Sequence, residues 1–199
     1  MQVLKFGGSS VANAENMSKV VDIVTKAVDR DRTILVTSAI SGCTDTLIKI
    51  GHLASERDES YKLLIDELQS KHHTIIKNFL PVEKQVDSKT VCDSLFDSLR
   101  SIAHGVYLLG ELSPASLDAI QGFGELWSTK ILATKLASIG IATKWIDSRE
   151  IIRTVAKGDK NVVDVQKTYF RVNEMVENNP ITQLFVLPGF IASDKQGRT

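Results

Sequence analysis

The sequence predicts an α/β fold: a mostly parallel sheet with helices on both faces, and a helical lobe over about residues 58–110. Three observations carry this. Short apolar runs alternate with helix-period segments from the first residues onward, the order of a βαβ unit. The run at 33–38 is nearly all apolar, as in a strand covered on both faces. Between 58 and 110 only helical periodicity is found.

The first strand is carried by Val3, Leu4 and Phe6 and is broken at Gly7 and Gly8. An amphipathic helix follows, with Met17, Val20, Val21, Val24, Ala27 and Val28 on one face. A strand that breaks at paired glycines and feeds a helix is suited to an anion. The backbone can approach closely, and the helix start offers unpaired N–H groups and the positive end of its dipole. Lys5 stands two residues before the glycines, and Ser9 and Ser10 add hydroxyls. The spacing equally suits a plain tight turn with a solvated lysine. It is neither the Walker pattern nor the dinucleotide G-x-G-x-x-G.

Residues 29–32 read as a charged surface turn before the second strand. That strand runs into Ser38-Ala39-Ile40-Ser41-Gly42-Cys43-Thr44-Asp45, small and hydroxylated residues at the ligand-binding edge of an open sheet. Thr44 reads as the N-cap of a helix from Thr46 onward, a role compatible with a ligand contact.

Two helical stripes follow. Tyr61, Leu64, Ile65, Leu68, Ile75, Ile76 and Phe79 form one, stopped by Pro81; Val91, Leu95, Leu99, Ile102, Val106 and Leu109 form the other. His72 and His73 read as a solvated pair, because adjacent helical residues diverge and no third metal ligand stands at useful spacing. Cys92 and Trp127 read as packing residues. Ser113 and Pro114 open the next helix as cap and first residue. It is interrupted at Gly122-Phe123-Gly124-Glu125, and a helix from Leu126 to Ile139 ends at Gly140. Glu125 near a helix start is explained by the dipole alone.

A third strand is expected at 141–147, a short helix capped by Ser148, an edge strand at 161–163, and a helix at 165–178 with Val165, Tyr169, Val172 and Val176 inward. A last strand at 181–187 ends in Pro188-Gly189-Phe190-Ile191 at the ligand edge, followed by a turn at 193–197.

The 199 residues suffice for one domain with a core. Lys plus Arg and Asp plus Glu number 24 each, so no global field would recruit nucleic acid or an anionic membrane. No apolar run approaches the ~20 residues of a membrane span. Two distant cysteines and the absence of a signal-like start lead us to expect a cytoplasmic protein.

Lys5-Phe6-Gly7-Gly8-Ser9-Ser10-Val11-Ala12 closely resembles the opening K-F-G-G-[ST]-S-V-A of aspartokinases in the amino acid kinase superfamily. The longer run to Glu15 is most like aspartokinases fused to homoserine dehydrogenase. The 38–45 segment is similar to their S-A-x-x-G-x-T-[ND], the 113–128 segment to S-P-…-G-E-x-x-S, and 189–192 to G-F-I-A.

The resemblance implies a three-layer α/β/α amino acid kinase-like fold and transfer of a phosphoryl group from ATP to the side-chain carboxylate of L-aspartate. The product would be 4-phospho-L-aspartate, at the first step of lysine, threonine and methionine biosynthesis. It assigns the catalytic cation to Lys5 and the ATP phosphates to Gly7, Gly8 and Ser9. Aspartate falls to Thr44, Glu125 and Phe190, with Mg²⁺ carried by the phosphates and no protein metal site. Phe123 departs from many bifunctional relatives, which have arginine there.

The family's L-G-R-G-G-S-D, nucleotide half and regulatory domains do not occur in these residues; Gly197-Arg198 stands too early to be that motif. We therefore expect residues 1–199 to be the N-terminal, amino-acid-binding part of a longer, homo-oligomeric kinase, inactive by itself. The alternatives are another carboxylate or carbamate kinase of the superfamily, and a non-catalytic amino-acid sensor on the same fold.

Overall fold

The computed structural model describes residues 1–158 and 160–199. A four-stranded parallel sheet has the order β1-β2-β6-β3, from β1 (Gln2–Phe6), β2 (Thr33–Thr37), β6 (Leu184–Pro188) and β3 (Thr143–Trp145). The connecting helices are α1 (Ala14–Val28), α2 (Cys43–Ser55), α3 (Tyr61–Phe79), α4 (Val82–Leu109), α5 (Pro114–Gln121), α6 (Phe123–Ser138), α7 (Ser148–Ile151) and α8 (Val165–Glu177). A separate antiparallel hairpin joins β4 (Thr154–Lys157) to β5 (Lys160–Val163).

The three-layer expectation holds. Leu35, Leu184 and Val186 face a large core with α1 and α6. Ile34, Phe185 and Leu187 face a smaller one with Ile146, Ile151 and Met175 of the α7–α8 side. Strand β2 is apolar throughout because both of its faces are covered. The α2–α4 lobe packs beside the first core around an aromatic nest. Phe96 stacks on Trp127 at 4.0 Å, and the His72 ring lies 4.8 Å from Trp127. Truncating either of the large rings to alanine costs on the order of 3–5 kcal/mol.

Several expectations are corrected. His72 is fully buried, bonded through Nδ1 to the Leu68 carbonyl at 2.7 Å; only His73 is near solvent, paired with Asp93. The α4 core face is Cys92, Phe96, Leu99, Ala103 and Val106, leaving Val91 and Leu109 exposed. On α8 only Met175 is buried, with Val172 and Val176 packed at its side; Val165 and Tyr169 are exposed, because the sheet covers only the C-terminal half of that helix.

Residues 161–163 pair with β4 and not with the main sheet. Ile181 is exposed and the last strand begins at Leu184. Asp147, not Ser148, caps α7; the buried Ser148 hydroxyl instead donates to the Pro188 carbonyl, tying α7 to the end of β6. Arg32 leaves the charged turn and donates to the carbonyls of Thr182 at 3.0 Å and Asn179 at 2.8 Å, where the negative end of α8 lies. Among the described residues no helix is long and apolar enough to cross a membrane.

Candidate functional site

The C-terminal ends of β1, β2 and β6 meet the N-terminal ends of α2 and α6 around an open cleft of about 390 Å³. Its walls are Gly8, the 38–42 loop after β2, Thr44 and Asp45 in the first turn of α2, Glu125 of α6, and Phe190 after β6. In a parallel sheet every crossover starts at this edge, so loops from distant parts of the chain converge there.

Glu125 is the electrostatic centre. It lies in the first turn of α6 and is only 3% exposed. Oε1 accepts the Ala39 N–H at 3.2 Å, and Oε2 is buried with no hydrogen-bond partner. Burial raises its pKa above the usual carboxylate value, and the Ala39 amide pulls partly the other way. A buried carboxylate with a spare oxygen on a cleft wall is suited to receive a cationic group.

Its neighbours hold it in place. A Cβ on Gly124 would stand 2.7 Å from the Ala39 Cβ, so glycine is what lets α6 reach the 38–42 loop. The Ser128 hydroxyl donates to the Ser38 carbonyl at 2.8 Å and closes the same contact one turn later. Lys71 of α3 donates to the Ser41 carbonyl at 3.0 Å. Cys43, beneath the loop, has its thiol pushed up to about 12 by burial and then by the Glu125 charge, so it is a packing group and not a nucleophile.

The glycine turn differs from expectation in one respect. Gly7 and Gly8 lead not directly into α1 but into a 3₁₀ turn, Gly8–Val11, and α1 has its own cap in Asn13, which accepts the Asn16 N–H. The α1 N-terminus is therefore already capped. What remains are the first amides of the short turn, Gly8 and Ser9, which have no acceptor within it, whereas Ser10 N–H donates to the Gly7 carbonyl. A Cβ on Gly8 would stand 3.0 Å from the Ala39 carbonyl oxygen, and one on Gly7 would enter open space. The turn thus presses against the 38–42 loop with bare backbone.

Of the residues predicted from sequence, the cleft brings Gly8, Thr44, Glu125 and Phe190 together. Lys5, Gly7 and Ser9 are not among its walls. Lys5 is exposed near the end of β1, in register with Val36, and Ser9 is exposed. Thr44 is not the helix cap, because Gly42, at φ +77°, takes that position and Thr44 falls inside the first turn. Glu125 belongs to a helix that starts three residues earlier than the periodicity suggested.

Phe190 is 82% exposed and held at φ +62°, a left-handed conformation costly for a bulky side chain. The turn around Phe190 is closed by the Ile191 N–H, which donates to the Gly189 carbonyl at 2.7 Å, while the Gly189 N–H donates to the Thr37 carbonyl at 2.8 Å. Asp45 on the cleft rim is a wall residue to which sequence reasoning gave no role, although it stands at the [ND] position of the 38–45 motif.

Comparison with known proteins places this architecture. The chain is 29% identical over 192 residues to a chloroplastic bifunctional aspartokinase/homoserine dehydrogenase 1 of Zea mays, covering 96% of this chain and 21% of the relative. It is 26% identical over 198 residues to bifunctional aspartokinase/homoserine dehydrogenase 2 of Escherichia coli, covering 100% of this chain and 24% of that protein. The chain thus spans about a fifth of the length of the curated bifunctional relatives it matches.

In fold it is similar to E. coli aspartokinase III in complex with aspartate and ADP, with a TM-score of 0.85 and 23% identity over all of this chain and 42% of that one. The family profile described as the Amino acid kinase family runs through residues 1–199, and the chain belongs to that family.

Proposed function

We propose that residues 1–199 are the amino-acid-binding part of an aspartokinase, which transfers the γ-phosphoryl group of ATP to the side-chain carboxylate of L-aspartate. One observation carries the reading: the buried Glu125 carboxylate, with Oε2 unpartnered, lines the same cleft as Gly8 of the glycine turn. One wall favours an ammonium group and the other favours phosphate oxygens. An amino acid aligned with a nucleotide presents both.

In this reading Glu125 holds the substrate's α-ammonium and Thr44 supports the bound amino acid from the first turn of α2. Phe190 closes the pocket beside it. The amides at Gly7, Gly8 and Ser9 receive phosphate oxygens, and Lys5 supplies a cation from the end of β1. The aspartate carboxylate is already a nucleophile. One of its oxygens forms a bond to the γ-phosphorus, the bond from that phosphorus to the bridging oxygen breaks, and ADP leaves with no proton transferred. The chain's task is to hold two anions in line and offset their repulsion. Mg²⁺ on the nucleotide's phosphates would offset part of the same charge.

The proposed division of labour, with the nucleotide half outside these residues, rests on the chain spanning 42% of the aspartokinase III chain. The test uses the full-length protein. With ATP, Mg²⁺ and hydroxylamine it should form hydroxamate from L-aspartate in preference to other amino acids. Lys5→Ala should cut turnover by roughly 10²–10³ with the fold intact. Hydroxamate from another acceptor alone points to a sibling kinase, none at all points to a sensor, and either outcome rejects the proposal.

A further inference from the structure

A second cavity, of about 310 Å³, lies between the N-terminal half of α4 and the α6–β3 layer. It shares no wall residue with the cleft that holds Glu125. Its body is apolar: Val91 and Leu95 from α4, Ile131 and Trp127 from α6, and Trp145 from β3. Val91, expected in the core, is 43% exposed because it borders this space.

The wall also carries one half-buried cation. Lys130 Nζ lies 3.5 Å from the centroid of the Trp145 ring, and that ring is held by its own Nε1–H donating to Thr129 Oγ1 at 2.9 Å. Burial lowers the Lys130 pKa, and Asp147, the one acid that acts against this, is already engaged by Arg149. Among the described residues Lys130 has no salt-bridge partner. The remaining charged walls are Lys84 and Asp87, which leaves the lining one positive charge in excess.

We propose that this cavity binds a small aromatic or branched apolar monocarboxylate, its carboxylate on Lys130 and its apolar body against Leu95, Ile131 and the two indoles. The volume suits it: about ten groups of roughly 30 Å³ each fit, the size of an arylalkanoate and too small for a nucleotide. An ammonium already desolvated against a ring face, with no anion of its own, gains more from a carboxylate than a solvated lysine does. A neutral ligand would use the same apolar walls but forgo that pair.

The chain contains 2 Trp, Trp127 and Trp145, and both border the cavity, so intrinsic fluorescence reports its occupancy. Titrating the protein with 3-phenylpropanoate should change tryptophan emission saturably, with a dissociation constant of about 0.1–1 mM. The neutral 3-phenylpropanamide should bind about tenfold more weakly. Lys130→Met keeps the stem on Trp145 and should erase the preference for the acid. Lys135→Met, whose amine lies 5.6 Å from the Phe79 ring outside the cavity, should leave binding unchanged. Three results overturn the proposal: no saturable change well above that range, equal affinity for acid and amide in the unmodified protein, or undiminished acid binding by Lys130→Met. The acid–amide comparison needs no variant and decides the matter even if a substitution disturbs folding.

Discussion

Replacing Glu125 with glutamine should make the protein more stable and, if the proposed function holds, weaken its hold on aspartate. The carboxylate is 3% exposed, and one of its oxygens is bonded to the Ala39 amide while the other has no partner. Leaving a buried acceptor unsatisfied costs about 1–3 kcal/mol, and more when it is charged. Glutamine keeps the Ala39 bond through its carbonyl but puts an amide NH2 where Oε2 finds no partner, so one unsatisfied group replaces another and only the cost of burying a charge is removed. A net gain of about 1 kcal/mol is expected near neutral pH, or about 2–4 °C in Tm for a domain of this size.

The pH dependence follows from the raised Glu125 pKa. The native state holds this proton more tightly than the unfolded chain does. Stability from this group is therefore complete below the unfolded value of 4.5 and falls as pH rises through the higher native value. Urea denaturation of both proteins should give curves that nearly coincide at acid pH, with the glutamine variant pulling ahead towards neutrality. In the full-length protein the same change should raise KM for aspartate. A glutamine variant less stable than the parent at neutral pH, with no pH-dependent gap, would falsify the claim that this carboxylate is held uncompensated.

Three further outcomes are expected. Gly124→Ala places a Cβ 2.7 Å from the Ala39 Cβ; overpacking of about 1–3 kcal/mol should outweigh a helix-propensity gain of about 1 kcal/mol, and adding Ala39→Gly should restore stability in a double-mutant cycle. His72, lowered to about 4 by burial, is bound to fewer protons in the native than in the unfolded state. Stability should therefore drop by about 3 kcal/mol as pH falls from 6.5 through 4, and His72→Gln should flatten that part of the acid-denaturation profile. Phe190→Gly relieves a left-handed φ of +62° at a side chain 82% exposed, so Tm should hold or rise while calorimetry on the full-length protein shows weaker aspartate binding.

Much of the architecture is legible locally. The period-3.6 face of Met17, Val20, Val21 and Val24, the unbroken apolar run of β2 and the Ser113-Pro114 helix start are decided by a few neighbouring residues, and each appears as read. Periodicity misled where a helix is only half covered, as at Val165 and Tyr169, or where two residues compete for one role, as Asp147 and Ser148 do for the α7 cap. The burial of His72 was not legible, because it depends on Phe96 and Trp127, 24 and 55 positions away.

By itself, then, the sequence determined the strand–glycine–helix opening and the layer order, and through its resemblance to aspartokinases it singled out Gly8, Thr44, Glu125 and Phe190. Tertiary structure alone decided that these four share one cleft and that Glu125 has a spare oxygen. It also decided that Lys130 and both tryptophans enclose a second cavity. The reason is range: helices and strands follow from contacts a few residues apart. The charge state and partners of a buried group depend on what the fold packs against it, and the Ala39 amide that meets Glu125 lies 86 residues away.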